Sequence, residues 1–240
     1  MPGRWRHALV ALAVRKPKRN AEAKRGSRFG GQPLLPADVE WPEGPDGPLG
    51  FVVQLDFEQL YHAHDGALPL PPRGILSVFY DIENQPWGHD PRDARSLKLV
   101  FVSDPSHTQP RESEDTDPVP LRRLEPQFQK RPRTPRSPDH HVWGSPAWIQ
   151  GEPRLDLQLM THGLDRSVEG MLERFLAAEE NGVDVVAIAK GAAEWKLLWQ
   201  IDSDEELFRW GDCGRIYILI KEEDLAAHRF DEARCILQCT

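Results

Sequence analysis

Residues 195–240 read WKLLWQIDSDEELFRWGDCGRIYILIKEEDLAAHRFDEARCILQCT. Two apolar runs, WKLLWQID and RIYILI, predict strands, and a Trp-Gly-Asp-Cys-Gly turn separates them. A short helix follows, because the acids at 222–224 suit the positive end of a helix dipole. A last strand closes the stretch. Short connections between neighbouring strands indicate a mostly antiparallel sheet with a few short helices, an α+β fold.

The first part of the chain repeats this order. Gly50-Phe-Val-Val-Gln-Leu-Asp56 resembles Trp195–Asp202, and Gly74–Tyr80 resembles Gly214–Ile220. Two matches in one order predict a single domain over residues 1–240, built from two related halves at about 27–102 and 140–240. Between them, residues 103–139 hold eight prolines, which favours an irregular connection with an edge segment near 117–124.

Other elements follow from local signals. Strands are expected at 49–56, 74–81 and 96–102, with Asp56 capping a short helix. Apolar residues at helical spacing predict a helix over 166–181, with Gly182 just past its end. The apolar run at 183–189 is interpreted as another strand.

Charge is distributed unevenly along the chain. The net charge of the 240 residues is −8, but residues 1–28 carry nine Lys or Arg against one acid, or +8, which leaves −16 for the remainder. An acidic body disfavours nucleic-acid binding and suits a basic protein partner. The apolar run at 8–14 is too short to span a membrane. We therefore expect a cytoplasmic protein with neither a membrane nor a nucleic-acid partner.

Three cysteines, Cys213, Cys235 and Cys239, are too few and too uneven in number for a disulfide framework. Cys235 and Cys239 could form a metal pair, but their spacing is not that of a zinc knuckle, and buried structural thiols are the simpler interpretation. The adjacent His140 and His141 point to opposite faces of an extended chain. No metal site, cofactor or catalytic residue is predicted.

Two regions are candidate ligand or partner surfaces. Gly30 and Gly31 could line a ligand site or could let two backbones pack closely, and they lack the Lys-Ser/Thr of a phosphate loop. The second region surrounds the Trp-Gly-Asp-Cys-Gly turn. Its candidate residues are Asp202, Asp204, Trp210, Asp212 and Arg215.

The second region has several interpretations. Its acids, with Glu205 and Glu206, could hold a hard cation through oxygen ligands. Solvated loop charges are the simpler alternative, with Asp212 as a turn former. Trp210 could anchor a partner on the surface, or it could simply pack over the turn.

Short motifs along nearly the whole chain resemble those of the YwqG-like family of bacterial domains of unknown function. They are Ser27-Arg-Phe-Gly-Gly-Gln-Pro, Glu40-Trp-Pro, Gln54-Leu-Asp, Gly74-Ile-Leu, Trp143-Gly-Ser-Pro-Ala-Trp-Ile-Gln, Leu198-Trp-Gln-Ile-Asp-Ser-Asp, Trp210-Gly-Asp-Cys-Gly-Arg-Ile-Tyr, Glu223-Asp-Leu and Leu237-Gln-Cys. The chain departs from the family at His140-His-Val-Trp and in its basic leader. The resemblance implies no catalytic residues and, by gene association, an immunity role against a secreted toxin or another binding role.

Three functions therefore stay open at this point. The first is a cytoplasmic module that binds a protein partner. The second is a hydrolase or metal-dependent enzyme that uses the acids near 202–212. The third is a small-ligand sensor that uses the crevice between the halves. The sequence contains no Gly-x-Ser-x-Gly, His-Glu-x-x-His or Walker motif.

Overall fold

The computed structural model describes residues 8–16, 25–130, 140–164, 173, 176, 179–180 and 182–240. Its strands are β1 (Leu9–Arg15), β2 (Arg28–Phe29), β3 (Leu34–Pro36), β4 (Gly50–Asp56), β5 (Ile75–Tyr80), β6 (Leu97–Val102), β7 (Thr108–Pro110), β8 (Arg122–Gln129), β9 (His141–Val142), β10 (Trp195–Asp202), β11 (Arg215–Lys221) and β12 (Arg234–Gln238). The helices are α1 (Phe57–His64), α2 (Arg154–Met160), α3 (Val185–Glu194) and α4 (Glu222–Ala226).

Ten strands form one sheet in the order β12-β11-β10-β9-β1-β8-β2-β4-β5-β6, while β3 and β7 form a separate pair. Neighbouring strands run antiparallel throughout. β1 and β8 occupy the middle of the large sheet, paired from Leu9 with Gln129 to Arg15 with Arg123. The expected α+β class, with mostly antiparallel sheet and a few short helices, is confirmed.

The strands of the large sheet follow a similar order when the sheet is followed inward from either edge. Three strands that follow each other in the chain come first, then a two-residue strand, then a central strand. β4 and β10 hold equivalent places in this order. Each contains a register shift, between Phe51 and Val53 in β4 and between Leu197 and Trp199 in β10. A bulge of this kind bends a strand and increases the local twist.

The main core lies on one face of the curved sheet and takes alternate residues from its strands. Val53, Val78, Trp199 and Ile218 are among its fully buried members. The edges of the sheet approach each other across this core. Leu237 N–H donates to Trp87 O at 3.0 Å, which ties β12 to the loop after β5. Each large apolar side chain buried here contributes roughly 1.5–3 kcal/mol.

Two smaller apolar clusters cover the other face of the sheet, one on each side of the centre. The first contains Leu35, Leu49, Phe51 and Phe79 with the half-buried Trp41. The second contains Leu157, Trp195, Leu197, Tyr217, Leu219 and Ile236, with Trp148 and Met160 against it. Both are covered by the segments that leave the short strands β2 and β9. The first cluster borders the candidate site.

Capping explains where two helices begin. Asp56 accepts a hydrogen bond from Glu58 N–H at 3.1 Å, as expected for the start of α1. Asp184 does the same for Val186 N–H at 2.8 Å and starts α3. The expected strand over 183–189 is therefore wrong. Its apolar residues serve a helix, because Ile188 and Ala192, four residues apart, face the protein interior together.

Residues 103–130 are not irregular throughout, because they contain β7 and β8, and β8 lies in the centre of the sheet rather than at an edge. Its Pro126 is opposite Leu12 of β1. The helix expected over 166–181 lies mostly outside the described residues. The four described members of that range, Glu173, Leu176, Glu179 and Glu180, are helical.

Candidate functional site

The glycine pair follows β2, and both residues have left-handed backbone, with φ of 54° at Gly30 and 68° at Gly31. Gly30 also passes very close to another segment, since a Cβ there would lie 2.1 Å from Val119 O. Gly31 N–H donates to that same carbonyl at 3.0 Å. Close backbone packing thus accounts for Gly30. Gly31 in addition lines a cavity.

This cavity, here called the aromatic cavity, has a volume of about 480 Å³. Trp41 and Phe51 provide its aromatic surface, and Trp41 is fixed because its indole N–H donates to Leu49 O at 2.9 Å. Three prolines, Pro33, Pro118 and Pro120, contribute to the wall. The remaining lining residues are Gly31, Gln32, Arg111, Glu112, Ser113, Thr116, Asp117, Val119 and Leu121. An aromatic and proline surface is suited to apolar or proline-containing groups.

Two arginines hold the wall of the aromatic cavity in place. Arg28 is fully buried, and its guanidinium donates to Gly26 O at 3.3 Å and to Gln32 O. Burial, with the nearby Arg123 charge as a second cause, lowers the pKa of Arg28 to about 10. Arg111 donates from Nη1 to the carbonyls of Pro36 and Val39, at 3.3 and 3.2 Å. These bonds give the cavity a shape that is formed in advance of any ligand.

A second opening, here called the acidic cavity, lies beside the first and shares Thr116 and Asp117 with it. Its volume is about 240 Å³. Five carboxylates line it, and none of its lining residues is a lysine or arginine. The acids are Asp46, Asp81, Glu83, Asp115 and Asp117. The Asn84 amide donates to Asp46 and Asp81, at 3.4 and 3.1 Å, so these two acids converge.

The aromatic and acidic cavities together are called the two-cavity face below. Glu112 and Asp117 are exposed at the edge of the aromatic cavity, and Asp115 is exposed in the acidic one. The face therefore offers an apolar surface with negative charge beside it. It can accept an apolar group that is flanked by cations.

Asp202 and Arg215, from the second predicted region, form an ion pair at 2.7 Å. Arg215 also donates to Ala147 O at 3.1 Å, and the Tyr217 hydroxyl donates to the same carbonyl at 2.6 Å. Burial raises the pKa of Tyr217 to about 12, which keeps this donor protonated. These residues hold the segment after β9 against the sheet.

The other members of the second region are dispersed. Asp204 accepts from Glu206 N–H at 2.9 Å, and Asp212 pairs with Arg209 at 2.7 Å on the surface. Lys16 and Arg122 hydrogen-bond to Glu206 and lower the pKa of its carboxyl. In the part of the chain that the structure describes, no group of three or more His, Cys, Asp or Glu is arranged to hold a metal ion.

Trp210 is fully buried, with its ring 4.6 Å from Phe208 and 5.7 Å from Tyr80. This placement corresponds to the simpler interpretation of Trp210, packing in the core. The left-handed backbone of Gly211, with φ of 50°, and the close approach of other atoms explain the glycines of its turn. A Cβ at Gly214 would lie 2.2 Å from Gln238 O, and one at Gly211 would lie 3.3 Å from Cys239 Sγ. The turn is a structural feature of the fold.

A third cavity, of about 490 Å³, lies between residues 88–94 and the part of the chain after residue 140. The loop at 88–94 provides one side, and α2, β11, α4 and β12 provide most of the other. Trp195 is one of its lining residues, and the Lys221 ammonium lies 5.4 Å from the centre of the Trp195 ring. Most of its acids already have partners. Asp224 accepts from Arg229 at 2.6 Å, and Asp93 accepts from Gly88 N–H at 2.9 Å.

Sequence reasoning identified Gly31 but not the rest of the two-cavity face. Trp41, Phe51 and Arg111 come from three separate segments, which the pairing of β3 with β7 and the hydrogen bond from Trp41 to Leu49 O bring together. One signal was available. The acids at 112–117 stand directly before Pro118 and Pro120, which indicates an exposed, charged segment beside a stiff one.

Residues 27–239 match the model of the family described as Domain of unknown function (DUF1963), and the chain belongs to this family. The YwqG-like resemblance of its motifs is consistent with this result. The comparison with curated proteins gives no match. Among the described residues there is no helix that is both long and apolar enough to cross a membrane.

Proposed function

We propose that this protein is a binding module that takes a basic segment of another polypeptide on the two-cavity face. One observation carries the proposal, namely that an aromatic cavity opens directly beside a cavity lined by five acids. An apolar side chain of the partner would enter between Trp41 and the prolines. Its neighbouring lysines or arginines would face Asp115 and Asp117.

Charge and shape contribute differently to this binding. Exposed charge pairs mainly accelerate association and exclude acidic partners, whereas a buried anchor determines how slowly the complex dissociates. The acidic body of the chain, −16 outside residues 1–28, adds to the attraction of a basic partner. An immunity protein that captures a basic toxin in the cytoplasm would be one instance of such a module.

We also infer that the two halves are related by duplication. Gly30 N–H donates to Val52 O and Trp143 N–H donates to Leu198 O, each directly after a two-residue strand. Further along, Asp56 N–H donates to Ser27 Oγ, and Asp202 N–H donates to His140 Nδ1. Leu124 N–H and Leu12 N–H then donate to the carbonyls of Ser27 and His140.

This correspondence relates β8 to β1, so the repeat extends beyond 27–102 and 140–240 to include the central strands. It also suggests how the halves differ. In the second half Trp148 packs on Tyr217 at 4.6 Å, in the place that corresponds to the cluster of Leu35, Leu49, Phe51 and Phe79 in the first half. The first half would then serve binding and the second would serve stability.

A second candidate function is a small-ligand sensor. The observation that favours it is the cavity between the two parts of the chain, because residues of both contribute to its wall.

The main proposal can be tested with labelled peptides. We expect fluorescence anisotropy to detect binding of a peptide with lysine at alternate positions and one central phenylalanine. A peptide with glutamate in place of lysine should not bind. Trp41→Ala should weaken binding about tenfold, as for an interface anchor, and Asp115→Lys with Asp117→Lys should slow association and weaken its dependence on salt.

Glu194→Lys is the matched control, because Glu194 is exposed on α3 and lines none of the three cavities. Equal binding of both peptides, or equal loss of binding in Glu194→Lys and in the Asp115/Asp117 variant, would contradict the proposal. Binding of the basic peptide that only Trp195→Phe weakens would favour the cavity between the two parts of the chain.

A further inference from the structure

We propose that the two-cavity face binds residues 131–136, Arg-Pro-Arg-Thr-Pro-Arg, of a second copy of this chain. The inference rests on the proposed function, because it assigns a particular basic segment to the same face. The binding would be reciprocal in a symmetric dimer, with each copy giving one segment and one face.

The segment has the chemistry that the face requires. From Pro126 to Pro138 the chain contains no acid, and Arg131, Arg133 and Arg136 alternate with the prolines. Pro132 and Pro135 are three residues apart, which is one turn of a polyproline II helix, so both prolines lie along one edge of such a helix. Arg133 and Arg136 have the same spacing and would lie along a neighbouring edge of a polyproline II helix.

The face in turn suits this kind of ligand better than an added strand. Pro118 and Pro120 in its wall have no backbone N–H to offer to a neighbouring strand. Proline-rich segments instead dock their rings on aromatic surfaces and leave their backbone solvated. Trp41 and Phe51 provide that surface, and the exposed Glu112, Asp115 and Asp117 provide charge for the arginines.

Chain length excludes docking within one molecule. Leu121 lines the aromatic cavity, and the strand Arg122–Gln129 separates it from Lys130. That strand spans about 26 Å. Pro132 is two residues from Lys130 and so stays within about 7 Å of it. The two prolines therefore cannot both enter the cavity of their own copy, because Pro132 does not reach it. A second copy can bring both prolines there.

The experiment is sedimentation velocity of the full chain at rising concentration. We expect self-association that weakens about tenfold in Trp41→Ala and in Arg133→Glu with Arg136→Glu, since either variant removes the anchor or the charge. A mixture of these two variants should associate about as weakly as either alone, because its heterodimer combines one intact contact with one that has lost both the anchor and the charge. Arg95→Glu with Lys98→Glu, two exposed basic residues elsewhere, should behave as wild type.

A chain that stays monomeric at every concentration would overturn the inference. So would association that the Arg133/Arg136 variant does not weaken, or that the Arg95/Lys98 control weakens equally. A labelled peptide of residues 129–138 separates this inference from the proposed function. If that peptide fails to bind while the lysine peptide binds, self-recognition is wrong and the proposed function stands. If neither binds, both are wrong.

Discussion

Gln54 and Gln200 hold equivalent positions in two bulged strands, and each accepts a hydrogen bond from the backbone that leaves the preceding short strand. Gln54 Oε1 accepts from Leu34 N–H at 3.0 Å, and Gln200 Oε1 accepts from Ala147 N–H at 2.9 Å. Both side chains are fully buried. Each glutamine therefore fixes the backbone of a segment through an N–H that is buried at Leu34 and half-buried at Ala147.

The first prediction concerns this pair. Gln54→Leu and Gln200→Leu should each lower the free energy of unfolding by about 1–3 kcal/mol, because each removes the acceptor of a backbone N–H that is buried or half-buried. Urea denaturation measures the effect, and Gln127→Leu, at an exposed position of β8, is the control. The two losses should add to within about 0.5 kcal/mol in the double variant, since the sites are distant. A neutral result in both single variants would contradict the structural role.

The second prediction concerns Trp210. Because the ring is fully buried, Trp210→Ala should lower the free energy of unfolding by about 3–5 kcal/mol. Its indole N–H has no partner among the described residues, so Trp210→Phe loses no hydrogen bond and should cost clearly less. Trp87→Ala, at a side chain that is 45% exposed, is the control. If Trp210→Ala loses peptide binding but keeps its melting temperature, Trp210 belongs to the binding surface and the prediction is wrong.

The sequence predicted most of the long strands, because β4, β5, β10 and β11 are apolar runs with turn residues beside them. It missed β8, whose residues RRLEPQFQ are largely polar and half exposed and include a proline. The β-branched residues before Ala189 favoured a strand, but Asp184 caps a helix there. The two-cavity face was largely inaccessible to such reasoning, since pairing between distant segments creates it.

Metal removal gives the third prediction. We expect a chelator to leave the melting temperature unchanged, because the described residues contain no closed set of metal ligands. The acidic cavity is the place to examine if calcium alone raises the melting temperature. In that event Asp81→Asn should abolish the increase, whereas Asp212→Asn, in the surface pair with Arg209, should not. A large decrease of the melting temperature in chelator would show that the fold depends on metal.

Gly214 gives the fourth prediction. Its backbone is not left-handed, so Gly214→Ala tests close approach without backbone strain, to Gln238 O and to the Cα and Cβ atoms of Cys239. A Cβ 2.2 Å from that oxygen forces β11 and β12 apart, and we expect a loss of more than about 3 kcal/mol, at the severe end for single substitutions. Gly163→Ala is the comparison. A Cβ at Gly163 would have no atom within 4 Å. The substitution should therefore lower the free energy of unfolding only through left-handed backbone strain, by about 1–2 kcal/mol. Equal losses would mean that the 211–214 turn adjusts freely.

The last prediction is a dependence of stability on pH through His64. The ring is buried, its Nδ1 accepts from Leu68 N–H at 3.4 Å, and its Nε2 has no partner among the described residues. Burial lowers the pKa of His64 below 6.5, although its own backbone and Asp65 act in the opposite direction. As the pH falls below 6.5, His64 therefore binds a proton in the unfolded chain before it does so in the folded protein.

Stability should consequently be full above pH 6.5 and decrease as the pH falls through the lowered pKa of folded His64. In His64→Gln this part of the decrease should disappear, because an amide can still accept from Leu68 N–H but does not titrate. His62→Gln, at an exposed ring on the same helix, should keep the wild-type slope. Urea denaturation at steps between pH 7.5 and 5 measures the difference. Parallel curves for wild type and His64→Gln would show that His64 does not cause the acid sensitivity.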